Sequence, residues 1–186
     1  MNLFKSILFI VSLTFALSTV QAASVSITPT LSSGNVGHNA TLELFMDFTG
    51  DPTLGGGIDL ALSGPISWVS FTPSAYFSAL DSIFTGHGTV FADADYEIHF
   101  GDFSGLGGNN KLGDIVVNLS GAGTGSIDIA INSLLGEFQS ATTYTPQTVS
   151  LNGAEIQINA VPVPAAVWLF GSALGLLGGS RRLFKK

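Results

Sequence analysis

Cysteine is absent from the 186 residues. That excludes a thiol nucleophile, a zinc–thiolate centre, an iron–sulfur cluster and any disulfide, so an exported domain of this composition must rely on its core. Positive charge is nearly absent as well. Lys and Arg total six, and five of them sit at the ends: Lys5 near the start, and Arg181, Arg182, Lys185 and Lys186 at the finish. Between residues 23 and 160 only Lys111 remains against all thirteen Asp and Glu, so one lysine less thirteen carboxylates leaves −12. Such a surface repels nucleic acid and anionic lipid, because phosphate binding needs clustered Lys and Arg. No nucleic-acid partner is expected. A nucleophile turn of the Gly-x-Ser-x-Gly kind is also missing. Gly101-Asp102-Phe103-Ser104-Gly105 has the glycine frame with its serine one place off, and His38, His87 and His99 are the only imidazoles. A Ser/His/Asp hydrolase is therefore not expected. Gly105-Leu106-Gly107-Gly108-Asn109 lacks the lysine of a phosphate-binding loop and reads as a hairpin.

What is present begins with the two ends. Residues 1–22 carry one positive charge at Lys5, an apolar core from Ile7 to Leu17, and small residues through Val20-Gln21-Ala22. This is the layout of a secretory signal peptide, to be cut by signal peptidase after Ala22 or Ala23. At the other end, Ala165 to Gly179 runs without a charge. At about 1.5 Å per residue it spans roughly 22 Å as a helix, against a hydrocarbon core of about 30 Å. Pro162 and Pro164 sit poorly inside a helix, so the span cannot easily be lengthened backwards. The basic residues beyond it should stay on the cytoplasmic side of the inner membrane. A marginal helix of this kind suits a transient stop better than a lasting anchor.

The order of residues in 161–186 is informative. Val161-Pro162-Val163-Pro164 precedes Ala165-Ala166-Val167-Trp168-Leu169-Phe170, then a Leu/Gly run, then Arg181-Arg182. This arrangement resembles the PEP-CTERM sorting signal, with Val163 where the name-giving Glu would stand. The resemblance implies recognition by an exosortase-like membrane enzyme, removal of the tail, and delivery to the cell surface or outside a Gram-negative cell, in an exopolysaccharide or biofilm context. The substitution at Val163 leaves open which exosortase type would read it.

The middle, residues 23–160, has an apolar period of two. Leu42, Leu44, Met46 and Phe48 alternate with Thr41, Glu43 and Asp47, while Phe45 breaks the pattern on the outer face. Tyr96, Ile98 and Phe100 alternate with Asp95, Glu97 and His99, and Ile127, Ile129 and Ile131 flank Asp128. Each run reads as a strand with one wet face. Ser33-Gly34-Asn35, Gly55-Gly56-Gly57 and Asn152-Gly153 read as turns between them. Ser74 to Leu80 reads as one helical turn. About eight or nine strands in one domain predict an all-β antiparallel sandwich or jelly roll. The order Val25-Ser26-Ile27-Thr28-Pro29, Val36-Gly37-His38-Asn39, Leu54-Gly55-Gly56-Gly57 and Leu112-Gly113-Asp114-Ile115 resembles the cohesin and carbohydrate-binding-module type of sandwich, with His38 where an acidic residue is usual. That resemblance implies docking or adhesion without catalysis; a fold by itself does not carry the role over.

Two candidate sites follow. Asp93, Asp95 and Glu97 at i, i+2 spacing, with Asp102 in the next turn, offer hard oxygens about 7 Å apart that suit calcium; the same spacing is also the plain polar face of a half-buried strand. Paired carboxylates also serve glycosidases, which need them across a cleft. Trp68, Phe71, Tyr76, Phe77 and Phe84 are either core or a sugar-stacking surface. Asn39-Ala40-Thr41 and Asn118-Leu119-Ser120 match the glycosylation sequon. The combined expectation is an exported, non-enzymatic adhesion or binding protein whose partner is a protein or a polysaccharide. A glycan-active hydrolase and a membrane-anchored periplasmic binder are the alternatives.

Intact-mass measurement of the protein from its host, in cell and medium fractions, tests the processing scheme. The expected mass begins near Ala23, ends near Val161–Pro164, and is found outside the cell. A chain that keeps Arg181–Lys186 and stays in the inner membrane would make the tail an ordinary anchor.

Overall fold

The computed structural model describes residues 22–88, 96–132, 136–161, 167 and 169–175. The signal segment, Asp93, Asp95, Pro162, Val163, Pro164, Arg181 and Arg182 lie outside the described residues. Twelve strands and one short helix are described: β1 (Ala23–Thr28), β2 (Leu31–Asn35), β3 (Asn39–Asp47), β4 (Thr53–Ser63), β5 (Ile66–Pro73), α1 (Ala75–Ser78), β6 (Gly86–Gly88), β7 (Tyr96–Leu106), β8 (Asn109–Leu119), β9 (Gly123–Ile131), β10 (Gln139–Ser140), β11 (Val149–Asn152) and β12 (Ala154–Asn159). They form two sheets. One has the order β11-β1-β3-β8-β5; the other runs β2-β12-β9-β4-β7-β6, with β10 on β4. The strand count exceeds the expected eight or nine because β6 and β10 are only three and two residues long and both chain ends divide between the sheets.

The period-two reading holds. Val25, Ile27, Leu42, Leu44, Met46, Phe48, Ile58, Leu60, Ile98, Phe100, Ile115, Val117, Leu119 and Ile127 are buried between the sheets. Alternation places each one on the inner face, and burying side chains of this size is worth about 1.5–3 kcal/mol apiece. The opposite face of the five-stranded sheet carries Ser, Thr and Asn with a half-buried Phe45. There Lys111 is held between Glu43 and Asp114 at 2.6 and 2.7 Å. α1 begins where expected: Ser74 Oγ accepts the Phe77 N–H at 3.1 Å and itself donates to the Lys111 carbonyl at 2.6 Å.

Several glycine-rich stretches behave differently from the expectation. Gly55-Gly56-Gly57 lies within β4, and Ser33-Gly34-Asn35 lies within β2. Asp102 lies within β7, not in a following turn. Gly107-Gly108 does not close a hairpin, because β7 belongs to one sheet and β8 to the other. At Gly56 the reason is space. A side chain there would place Cβ 2.7 Å from the ring of Phe138, which reaches the core from beyond the strands and packs against Phe48 and Phe100 at 5.5 and 5.6 Å.

Both ends of the domain cross between the sheets. β1 pairs with β11 in parallel in the first sheet, and β2 with β12 in parallel in the second. The last crossing turns at Gly153, where a Cβ would lie 2.2 Å from the Ile127 carbonyl oxygen. Beyond Asn159 the described tail residues 167 and 169–175 are helical and exposed. Among the described residues no helix is long and apolar enough to cross a membrane.

Truncating Phe138 to Ala should cost about 3–5 kcal/mol of unfolding free energy, and Gly153→Ala about 1–3 kcal/mol. Urea titrations followed by Trp68 fluorescence measure both, and midpoints equal to wild type would refute these packing assignments.

Candidate functional site

One concave feature is a groove of about 340 Å³ across β4 and β7. Leu54, Gly55, Gly56 and Gly101 form its floor, and His99, Glu137 and Gln139 line its sides. At Gly101 a Cβ would lie 3.3 Å from the Phe84 Cβ, so the glycine lets Phe84 lie close against β7. At the groove stand Ile83 and Phe84, with Phe103 beside them. Phe84 and Phe103 meet edge to face at 4.7 Å. Ile83 is 78% exposed and Phe103 is 81% exposed, values unusual for side chains of their size. Acidic groups stand nearby: Glu137 is exposed, Asp81 accepts the Ile83 N–H at 2.9 Å, and Asp102 is adjacent to Phe103 in β7. The basicity of His99 is lowered, first by burial and then by His87, which favours the neutral imidazole. The groove is thus apolar in the middle and acidic around it.

Sequence reasoning missed Ile83 and Phe103. The available signal was Ile83-Phe84 itself, two large apolar residues side by side in Asp81-Ser82-Ile83-Phe84-Thr85-Gly86, a stretch with neither strand nor helix period. The aromatic set divides. Phe71 and Phe77 are buried, and Trp68 and Tyr76 pack partly buried on the core. Phe84 belongs to the exposed patch. Trp68 stacks on Tyr96 at 4.2 Å, and the Tyr96 hydroxyl meets His87 Nδ1 at 2.5 Å.

Of the four calcium candidates, the described pair Glu97 and Asp102 stand apart. Glu97, expected on a wet face, is only 2% exposed. It lies opposite Asp59 of β4 in register, and the Asn132 amide donates to Asp59 Oδ1 at 2.5 Å and also bonds Glu97. Asp102 is exposed in part and takes both the Ser104 N–H and the Ser104 hydroxyl. Four residues of β7 separate it from Glu97, roughly 16 Å along an extended strand. Asp93 and Asp95 lie outside the described residues. Among the described residues, no group of three or more His, Asp or Glu is placed to hold a metal ion. The two sequon asparagines face each other across β3 and β8, with Asn118 Nδ2 donating to Asn39 Oδ1 at 3.0 Å.

Burial, and then the charge of Asp59, push the Glu97 carboxyl above its ordinary value of 4.5. A raised native value means that the folded protein holds this proton more tightly than the unfolded chain. Its contribution is then fully present below 4.5 and is lost as pH rises through the native value. Glu97→Gln should therefore raise the melting temperature at pH 7, with the gain shrinking to nothing as pH falls below about 4.5. A gain that does not depend on pH would contradict the burial of a charged Glu97.

Comparisons with known proteins add the fold. No known family profile matches the chain, and no curated protein does. Solved structures do. The cohesin of a Coh-OlpC–Doc435 type I cohesin–dockerin complex from Clostridium thermocellum is similar at TM-score 0.58 and 14% identity, covering 75% of this chain and 95% of that one. The Coh-OlpA–Doc918 complex from the same organism gives TM-score 0.59 at 9% identity, covering 75% and 100%. A non-cellulosomal cohesin from Archaeoglobus fulgidus gives TM-score 0.54 at 10% identity, covering 78% and 96%. At these identities the likeness is one of fold: the domain is a cohesin-like β-sandwich.

Proposed function

We propose that this is an exported, non-catalytic binding module that holds a segment of a partner protein in the groove over β4 and β7. The observation that carries the reading is the Ile83–Phe84–Phe103 patch beside a glycine floor. Exposing such apolar surface brings the folded chain no benefit by itself, and patches of this kind mark interaction sites. The cohesin-like fold supports a protein partner, since the similar structures include cohesins solved as complexes with dockerins. The acid around the patch favours a partner that carries Lys or Arg beside its apolar anchor. A domain charge of −12 disfavours anionic polysaccharide and anionic lipid.

Export belongs to the same proposal. Residues 1–22 direct the chain across the inner membrane, and 161–186 detain it there until an exosortase-type enzyme removes the tail. The sandwich, residues 23–160, is then delivered to the cell surface or extracellular matrix. The support for this route is the residue order at the two ends.

The test uses the double variant Phe84→Ser/Phe103→Ser, in which both side chains are already exposed and the fold should survive. Wild-type protein should recover the same extracellular partner protein repeatedly, and the double variant less than about a tenth as much, the loss expected of a central aromatic anchor pair. Equal recovery by a variant with an unchanged melting curve would remove the groove as the binding surface. Turnover of a polysaccharide, lost in Glu97→Gln, would replace the reading with a hydrolase.

A further inference from the structure

The segment from Asp81 to Gly86 separates two concavities. Ile83 and Phe84 face the groove described above, while Ser82, Thr85 and Gly86 line a second cleft of about 350 Å³ with Pro73, Phe77, Ser78, Leu80 and His87. This volume falls at the lower end of the range for small-molecule sites. Its lining has a definite chemistry. Pro73, Phe77 and Leu80 are apolar, Ser78, Ser82 and Thr85 carry hydroxyls, and His87 carries an imidazole. No carboxylate and no ammonium or guanidinium group is among the described lining residues, in a domain where carboxylates are the commonest charge.

One lining atom is unsatisfied. Thr85 Oγ1 is shut off from solvent and has no hydrogen-bond partner. A buried hydroxyl without a partner costs about 1–3 kcal/mol, and native structures hold few of them. One staggered step of about 120° about χ1 moves such an oxygen to a new direction, so a ligand hydroxyl in the cleft can supply the missing bond. The aromatic side of the cleft is fixed in place. Phe77 meets Phe71 edge to face at 5.8 Å, and His87 is held by the Tyr96 hydroxyl at Nδ1.

We infer that this cleft is a binding site for a neutral sugar unit, with one apolar sugar face against the partly exposed Pro73 and Leu80 and its hydroxyls bonded to Thr85, Ser82 and Ser78. A ring with C–H groups on its face and hydroxyls at its edge matches this lining, and no counter-ion for a charged sugar is among the described lining residues. The site is separate from the groove proposed for a protein partner and does not depend on that reading. It also has a reporter, because Tyr96 joins His87 to Trp68 by a hydrogen bond and a stack.

The test is titration of the exported protein with the methyl glycosides of glucose, galactose, mannose and N-acetylglucosamine, and with glucuronate as the charged control. Saturation-transfer NMR and Trp68 fluorescence give the dissociation constants. At least one neutral glycoside should bind saturably. Thr85→Val, which keeps the shape and removes the hydroxyl, should weaken it about fivefold, or about 1 kcal/mol. Its melting temperature should be equal to or above wild type, since an unpaired oxygen is lost. Ser82→Ala should weaken binding similarly, and Phe84→Ser/Phe103→Ser should leave it unchanged. Absence of saturable binding by every neutral glycoside would overturn the inference. So would affinity undiminished in Thr85→Val, or glucuronate bound as tightly as the neutral sugars.

Discussion

The chain crosses from one sheet to the other at each end of the domain, and the two crossings lie side by side. β1 and β11 pair in parallel before the turn, β2 and β12 after it, with Glu155 N–H on the Thr30 carbonyl at 2.9 Å where the two meet. First and last segments must therefore arrive together for either sheet to gain its outer strand. Such pairing joins residues more than a hundred positions apart, so its loop-closure cost is met only once the central strands have docked. The middle strands bring the core, and the terminal pairing fixes how the two layers face one another.

Most of the core was legible in the sequence because its signal is local. Leu42 through Phe48 and Ile127 through Ile131 declare an inner face by alternation alone, and the structure agrees in detail. Glycine misled because it has two meanings. It marks a turn when the chain needs a left-handed conformation, and it marks a strand when something large lies across that strand. Gly56 is the second kind, and its reason, Phe138, is some eighty residues away. No pattern within β4 announces that ring. The same distance problem hides Glu97. Its alternation is that of a wet face, but Asp59 and Asn132 close over it from elsewhere in the chain.

The two proposed sites were less legible for a related reason. Asp81 to Gly86 has no period, so the sequence does not say which side chains point where. In the folded chain neighbouring residues divide between two surfaces, with Ile83 and Phe84 on one and Ser82 and Thr85 on the other. An apolar, acid-fringed groove and a hydroxyl-lined cleft thus share one short wall. Their chemistries are opposite, which suits two ligands of different kinds.

The lone lysine of the domain has a consequence for survival outside a cell. Proteases of the trypsin type cut after Lys or Arg, and residues 23–160 offer them Lys111 alone. That residue lies within β8, bonded on both sides by β3 and β5, with its ammonium already engaged by Glu43 and Asp114. To be cut, β8 must leave the middle of its sheet, which amounts to unfolding the domain. Poverty in positive charge, together with the position of the one exception, makes the folded sandwich a closed substrate to a whole class of secreted enzymes.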